Sequence, residues 1–262
     1  MSFSRRSIIA ACTAVALGVI PLSARADGLD DIMKAGVIKI AVPQDFPPFG
    51  SVGPDLKPIG YDIDVANLIA AKLGVKAELV PVSSANRIPY LQTKKVDLVI
   101  SSLGKNAERE KVIDFSVAYA PFFNGVFGPA DLKVSKAEDL AGMTVGVTRG
   151  SVEDLELAKV APPSTEIKRY EDNNSTISAF LSGQVKAIAT GNVVAAAILA
   201  RNPPKKPEVK FLIKNSPCFV GLNKDEPKLL AKVDSILAAA KTDGALNAIA
   251  QKWLGAPLPA DM

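Results

Sequence analysis

"YDIDVANLIAAKLG", residues 61–74, carries apolar side chains at 61, 65, 68, 69 and 73, the spacing of one helix face, and ends on a glycine suited to a C-cap. Before it, GVIKIAV (36–42) is a short β-branched run, followed by the proline-rich loop PQDFPPFG (43–50). After it come KAELVPV (76–82), a second strand, then RIPYLQTKK (87–95), a short helix, and VDLVIS (96–101), a third strand. This alternation is the rhythm of an α/β fold, a mostly parallel sheet covered by helices.

Further along, the pattern recurs faintly. TVGVT (144–148) reads as a strand feeding the Gly-opened helix RGSVEDLELAKV (149–160), and TISAFLSGQVKAIAT (176–190) repeats the cadence of IPYLQTKKVDLVIS. Two similar α/β lobes explain this better than one long sheet. Two apolar crossings separate them, YAPFFNGVFGP (119–129) and SPCFVGLNK (216–224), and two helices, 226–244 and 245–255, complete the chain. The chain is therefore expected to build lobe 1 from 27–121 and 221–262 and lobe 2 from 122–220. Such a path makes a hinge and a cleft.

Residues 1–26 read as an export signal. Arg5 and Arg6 give the basic start, residues 8–20 the apolar run, and Ala24-Arg25-Ala26 the small-x-small cleavage site. That apolar run is too short for a bilayer, which needs roughly 20 residues. SRRSII partly matches a twin-arginine signal, and IAAC, ending at Cys12, a lipoprotein site. Sec-type export with cleavage after Ala26 is favoured, because the run before Cys12 is short and continues past it.

The whole chain has 31 basic and 27 acidic residues; the leader holds three arginines and no acid, leaving a formal +1. A near-neutral surface carries no electrostatic footprint for nucleic acid. Beyond the leader Cys218 is the lone cysteine, and there is no histidine. Intramolecular disulfides, Cys/His metal sites and His-based triads are excluded on those counts. No cofactor or metal is expected.

Taken in order, GYDIDVANLIAAKLGV, IPYLQTKKVDLVIS, NAEREKVIDFSVAYAPF and LSGQVKAIATGNVVAAAI resemble the periplasmic solute-binding proteins of family 3, which serve polar amino acid ABC importers. The likeness runs from about residue 29 to 254. It implies a two-lobed type II periplasmic-binding-protein clamshell that closes on a small ligand and docks on permease subunits in the inner membrane. A periplasmic monomer is expected.

The resemblance also implies site residues. Arg109, before DFS, matches the arginine that holds the ligand's α-carboxylate, a task that suits a planar fork of donors. On spacing alone it reads as a solvated helix residue, and the matched phrase is what turns the reading to binding. Ser102 follows the strand VDLVIS, at the sheet end where α/β ligands sit. Gly104 stands where the family often has a second hydroxyl, and Asn106 where threonine is common; Asn106 also suits a helix N-cap. Phe46 matches an aromatic that covers the ligand, whereas Phe49 and Tyr61 read as core. SANRIP (84–89) resembles the glutamate/aspartate-binding branch, whose serine and arginine hold a distal carboxylate and map to Ser84 and Arg87.

Lobe 2 departs from the family pattern. Gly191, between Thr190 and Asn192, occupies the position of the usual aspartate that pairs with the ligand's α-ammonium. Ser151 keeps one hydroxyl of the family's Gly-Thr-Thr carboxylate loop, Val152 loses the other, and Arg149 stands just before it. Up to three arginines against no identified acid point to an anionic ligand, an acidic amino acid or a small dicarboxylate. Two other readings use the same cleft: a cyclohexadienyl-dehydratase-like enzyme, and a chemosensory protein that presents its ligand to a receptor. Only Glu153 and Asp154 near the loop offer an acid for catalysis.

Overall fold

The computed structural model describes residues 27–260 and 262, so the export-signal reading of residues 1–26 lies outside the described residues. Lobe 1 begins with α1 (Gly28–Ala35), β1 (Val37–Pro43), the two-residue strands β2 (Ser51–Val52) and β3 (Pro58–Ile59), and α2 (Tyr61–Leu73). It continues through β4 (Lys76–Val82), α3 (Arg87–Gln92), β5 (Leu98–Leu103), α4 (Ala107–Glu110) and β6 (Ile113–Ala120). Lobe 2 holds β7 (Phe123–Gly128), β8 (Thr144–Thr148), α5 (Val152–Val160), β9 (Glu166–Tyr170), α6 (Asn173–Leu181), β10 (Ala187–Gly191), α7 (Asn192–Leu199) and β11 (Glu208–Asn215). The chain returns with β12 (Cys218–Asn223), α8 (Pro227–Thr242) and α9 (Ala245–Leu254).

Helix α2 ends as its sequence requires. Gly74 adopts φ 75° and its N–H reaches the carbonyls of Ala70 and Ala71, a left-handed cap that a residue with a Cβ resists. The buried face of α2, including Val65, Ile69 and Leu73, packs on the lobe 1 sheet with Ile38, Ile40 and Ile100. Strand β1 pairs parallel with β4 over its full length, from Val37 opposite Lys76 to Pro43 opposite Val82.

The two sheets have the same plan. Lobe 1 is ordered β4-β1-β5-β12-β6, and lobe 2, followed in the same sense, β9-β8-β10-β7-β11. In each, three parallel strands meet one antiparallel strand that adjoins a crossing, β12 in lobe 1 and β7 in lobe 2. Four strands of each sheet run one way and one runs the other, because a strand arriving directly from the other lobe has no crossover helix to turn it round. The faint sequence repeat now has a cause: α3–β5 and α6–β10 hold equivalent places in the two lobes.

The crossings are short. Only Pro121 and Phe122 separate β6 from β7, and only Ser216 and Pro217 separate β11 from β12. Lobe 1 thus resumes at Cys218, a few residues before the expected 221. Among the described residues no helix is long and apolar enough to cross a membrane.

Candidate ligand site between the lobes

The two lobes meet across several hydrogen bonds. Asp45, in the loop after β1, accepts from the backbone N–H of Asn173 at 2.6 Å and so satisfies the start of α6 in the opposite lobe. Arg109 donates to the Gly150 carbonyl at 2.9 Å, and Lys214 to the Lys105 carbonyl at 2.7 Å. Between these contacts lies a small cavity, lined from lobe 1 by Phe46, Ser84, Arg87, Ser102 and Gly104. Lobe 2 and the crossings add Phe122, Asn124, Ser151, Val152, Glu153 and Ser216. Its free volume is about 10 Å³, roughly the space of one water molecule, so a larger solute requires the lobes to part further.

Arg87 is the cationic side chain of this lining. It opens α3, is 4% exposed, and its Nε donates to Ser101 Oγ at 3.0 Å. Among the described residues, that is the one hydrogen bond its guanidinium makes. Burial draws its pKa below the ordinary arginine value, while Glu153, Asp45 and Asp62 oppose the shift. A guanidinium stays charged in such surroundings, so its terminal nitrogens bring two charge-assisted donors to the cavity.

Ser102 lines the cavity, but its hydroxyl is committed elsewhere. Asp62 accepts from Ser102 N at 2.6 Å and from Ser102 Oγ at 3.0 Å, and from the Tyr119 hydroxyl at 2.7 Å. This carboxylate holds Ser102 at φ 44°, a conformation that a serine seldom adopts unaided. Burial pushes the Asp62 pKa up to about 6, against the pull of hydrogen bonds from Tyr119 and Ser102 and of the Arg87 charge.

The other expected residues divide. Ser84, Phe46, Gly104 and Ser151 line the cavity with Arg87 and Ser102. Ser151 also caps α5, accepting from Asp154 N at 3.2 Å. A Cβ on Gly104 would lie 2.8 Å from Val152 Cγ2, so close packing across the cleft accounts for the glycine. Phe49 and Tyr61 are fully buried, as core residues should be.

Arg109 is not in the cavity lining. It is buried, and it donates to the carbonyls of Gly104 at 2.7 Å and Gly150 at 2.9 Å, one in each lobe. Burial lowers its pKa to about 10; the like charge of Arg87 adds to the fall, and Glu153 and Glu156 oppose it. Asn106 acts as the N-cap of α4, accepting from Arg109 N at 2.9 Å. Arg149 is exposed and pairs with Glu171 at 2.8 Å. Thr190 and Gly191 are buried outside the lining, and Asn192 accepts from Phe123 N at 3.1 Å.

Gly191 has a steric reason. A Cβ there would run into the ring of Phe122. Phe122 belongs to the first crossing and packs against Phe46 and Phe49, with ring centroids 6.1 and 5.7 Å apart. An aspartate at this position would displace that aromatic cluster.

Phe122, Asn124 and Ser216 line the cavity without having been singled out in the sequence, and Glu153 was noted there only as an acid near the loop. Glu153, in the first turn of α5, is buried; burial raises its pKa, opposed by its own N–H, the Ser151 hydroxyl, Arg87 and Arg109. Asn124 is 1% exposed, and neither its Oδ1 nor its Nδ2 has a hydrogen-bond partner. Ser216 Oγ is buried and unpartnered as well. Buried polar groups left without partners are uncommon and costly. The available signal was at Asn124, the one amide in the otherwise largely apolar stretch YAPFFNGVFGP.

The comparisons with known proteins agree with this geometry. The family described as bacterial extracellular solute-binding proteins, family 3, matches residues 38–256. The L-cystine-binding protein TcyJ of Escherichia coli strain K12 is 26% identical over 232 residues, 87% of this chain and 86% of that protein. The glutamate/aspartate import solute-binding protein of Salmonella typhimurium is 27% identical over 248 residues, 88% and 80% of the two chains. Among solved structures, the ancestral amino acid-binding protein AncCDT-1, a precursor of cyclohexadienyl dehydratase, superposes with a TM-score of 0.79. It is 30% identical and covers 86% of this chain and 99% of its own. Two lobes of one plan, joined by paired crossings around an enclosed polar cavity, are the type II periplasmic-binding-protein architecture. With the family's own pattern extending over residues 38–256, the chain belongs to the bacterial extracellular solute-binding proteins, family 3.

Proposed function

We propose that the protein is the periplasmic binding component of an ABC importer and takes an acidic amino acid or a related small carboxylate, enclosed by closure of the two lobes. The observation that carries this reading is Arg87, a buried guanidinium in the cavity wall whose terminal nitrogens have no partner among the described residues. Ser84 stands beside it in the lining, and α5 begins there, so its dipole adds positive potential. Closure follows because such a ligand touches both lobes and so favours the closed state. The protein acts as a monomer and performs no catalysis.

A thermal-shift and calorimetric panel of acidic, neutral and basic amino acids and plain dicarboxylates tests the ligand class. Acidic compounds should give the largest shifts; a response confined to basic amino acids would overturn it. Turnover of prephenate or arogenate would instead establish an enzyme, and retrieval of a receptor rather than permease subunits from the cell envelope would establish a chemosensory role.

A further inference from the structure

We propose that Asp62 couples the anion site to a proton: when a carboxylate is held at Arg87, the buried Asp62 carboxyl takes up a proton from solvent, and the protein grips anions more tightly as its surroundings acidify. This rests on the reading above and adds a regulation of the same site. The geometry begins at two neighbouring residues of β5. Ser101 accepts from Arg87 Nε at 3.0 Å, and Ser102 donates to Asp62 from its N at 2.6 Å and its Oγ at 3.0 Å. A cation and an anion are thus tied to consecutive serines, Arg87 in the cavity wall and Asp62 fully buried behind Ser102.

The groups that face Asp62 are Arg87 from α3, Ser102 from β5, Tyr119 from β6, Cys218 from β12 and its own neighbour Tyr61. Burial raises the two phenols and the thiol above their ordinary values, so these stay neutral. Arg87 is then the one cation acting on Asp62 among the described residues. A carboxylate held at Arg87 cancels that support and brings a second negative charge towards an acid that water does not reach. Glu153 differs, because it faces both Arg87 and Arg109 and keeps the second when the first is neutralised. The added proton rests on Asp62 Oδ1, where the Tyr119 hydroxyl turns from donor to acceptor, and both bonds from Ser102 to Oδ2 persist. Linkage is reciprocal: if the anion favours the proton, the proton favours the anion by the same factor.

The probe is L-glutamate, whose side chain is largely ionised at pH 5.5 and above. Calorimetry on the intact protein should show affinity rising roughly 5-fold or more between pH 8 and pH 5.5. At pH 6.5, titrations in two buffers of different ionisation enthalpy should report net proton uptake. Asp62→Asn should remove both effects. Tyr119→Phe deletes a hydrogen bond that lowers the Asp62 pKa, so it should move the midpoint of the affinity profile to higher pH. Thermal melts report whether each variant folds, and the Tyr119→Phe profile decides if Asp62→Asn does not. Wild-type protein that binds no L-glutamate at any pH overturns the proposed ligand class, and this inference with it. Binding with a flat profile and no uptake overturns the proton coupling alone. So does a midpoint unmoved by Tyr119→Phe, or an uptake kept in Asp62→Asn and lost in Glu153→Gln.

Discussion

The backbone N–H of Ser216 donates to the carbonyl of Phe122 at 3.0 Å, tying the second crossing to the first. Both residues also line the cavity. Hinge and ligand site therefore share residues, and a solute that presses on Phe122 or Ser216 acts directly on the segment about which the lobes turn.

Arg87→Ala should lower affinity for acidic ligands roughly 100-fold or more, the worth of two charge-assisted hydrogen bonds to one carboxylate. Calorimetry with the intact protein measures it. A loss below threefold would remove Arg87 as the anion grip.

Arg109 should behave differently. Its guanidinium joins a carbonyl of each lobe, so Arg109→Ala weakens closure and not one ligand contact. Every ligand that binds should then lose affinity by the same factor, roughly 10-fold, since a shift in the closed population scales all of them alike. A loss restricted to acidic ligands would assign Arg109 to direct recognition.

Restoring an aspartate by Gly191→Asp should destabilise the protein, because the side chain meets the Phe122 ring. Overpacking of this kind lowers Tm by roughly 5 °C. Combining it with Phe122→Ala should cost less than the sum of the two single changes. Strict additivity in thermal melts would show that the ring is not what excludes the carboxylate.

Asp62 predicts a pH effect. Its folded-state pKa of about 6 lies above its ordinary value of 3.8, so the native protein binds the additional proton. Stability should rise as pH falls through 6 towards 4, the reverse of a salt-bridged aspartate. Relative to Asp62→Asn, the wild-type protein should gain about 1 kcal/mol between pH 7.5 and pH 5. Denaturant unfolding at the two pH values measures the difference, and a gap that stays constant or shrinks would contradict it.

Much of the fold was legible in the sequence because it is written locally. The apolar face of residues 61–73 and the cap at Gly74 specify α2 without reference to anything distant. The strands around it follow from β-branched runs of ordinary length. The mixed sheet order was not legible, since β12 reaches its place beside β5 only after the whole of lobe 2 has been built.

The site was legible where a charge stands among small residues, as at Ser84 and Arg87. It was not legible at Glu153, because an acid in a first helical turn looks like ordinary dipole stabilisation until α5 is placed against the cavity. The partners of Arg109 were hidden for a related reason: the carbonyls it bonds belong to Gly104 and Gly150, which are 46 residues apart by their numbering and in different lobes. The missing acid at 191 could be seen, but its cause, an aromatic ring 69 positions earlier, could not.

The bond from Asn173 to Asp45 has a kinetic consequence. On the function proposed, opening of the lobes must part that clasp, exposing the first turn of α6 and a carboxylate to water together. Release to a permease, on that function, would be set partly by how fast this clasp opens and not by ligand contacts alone.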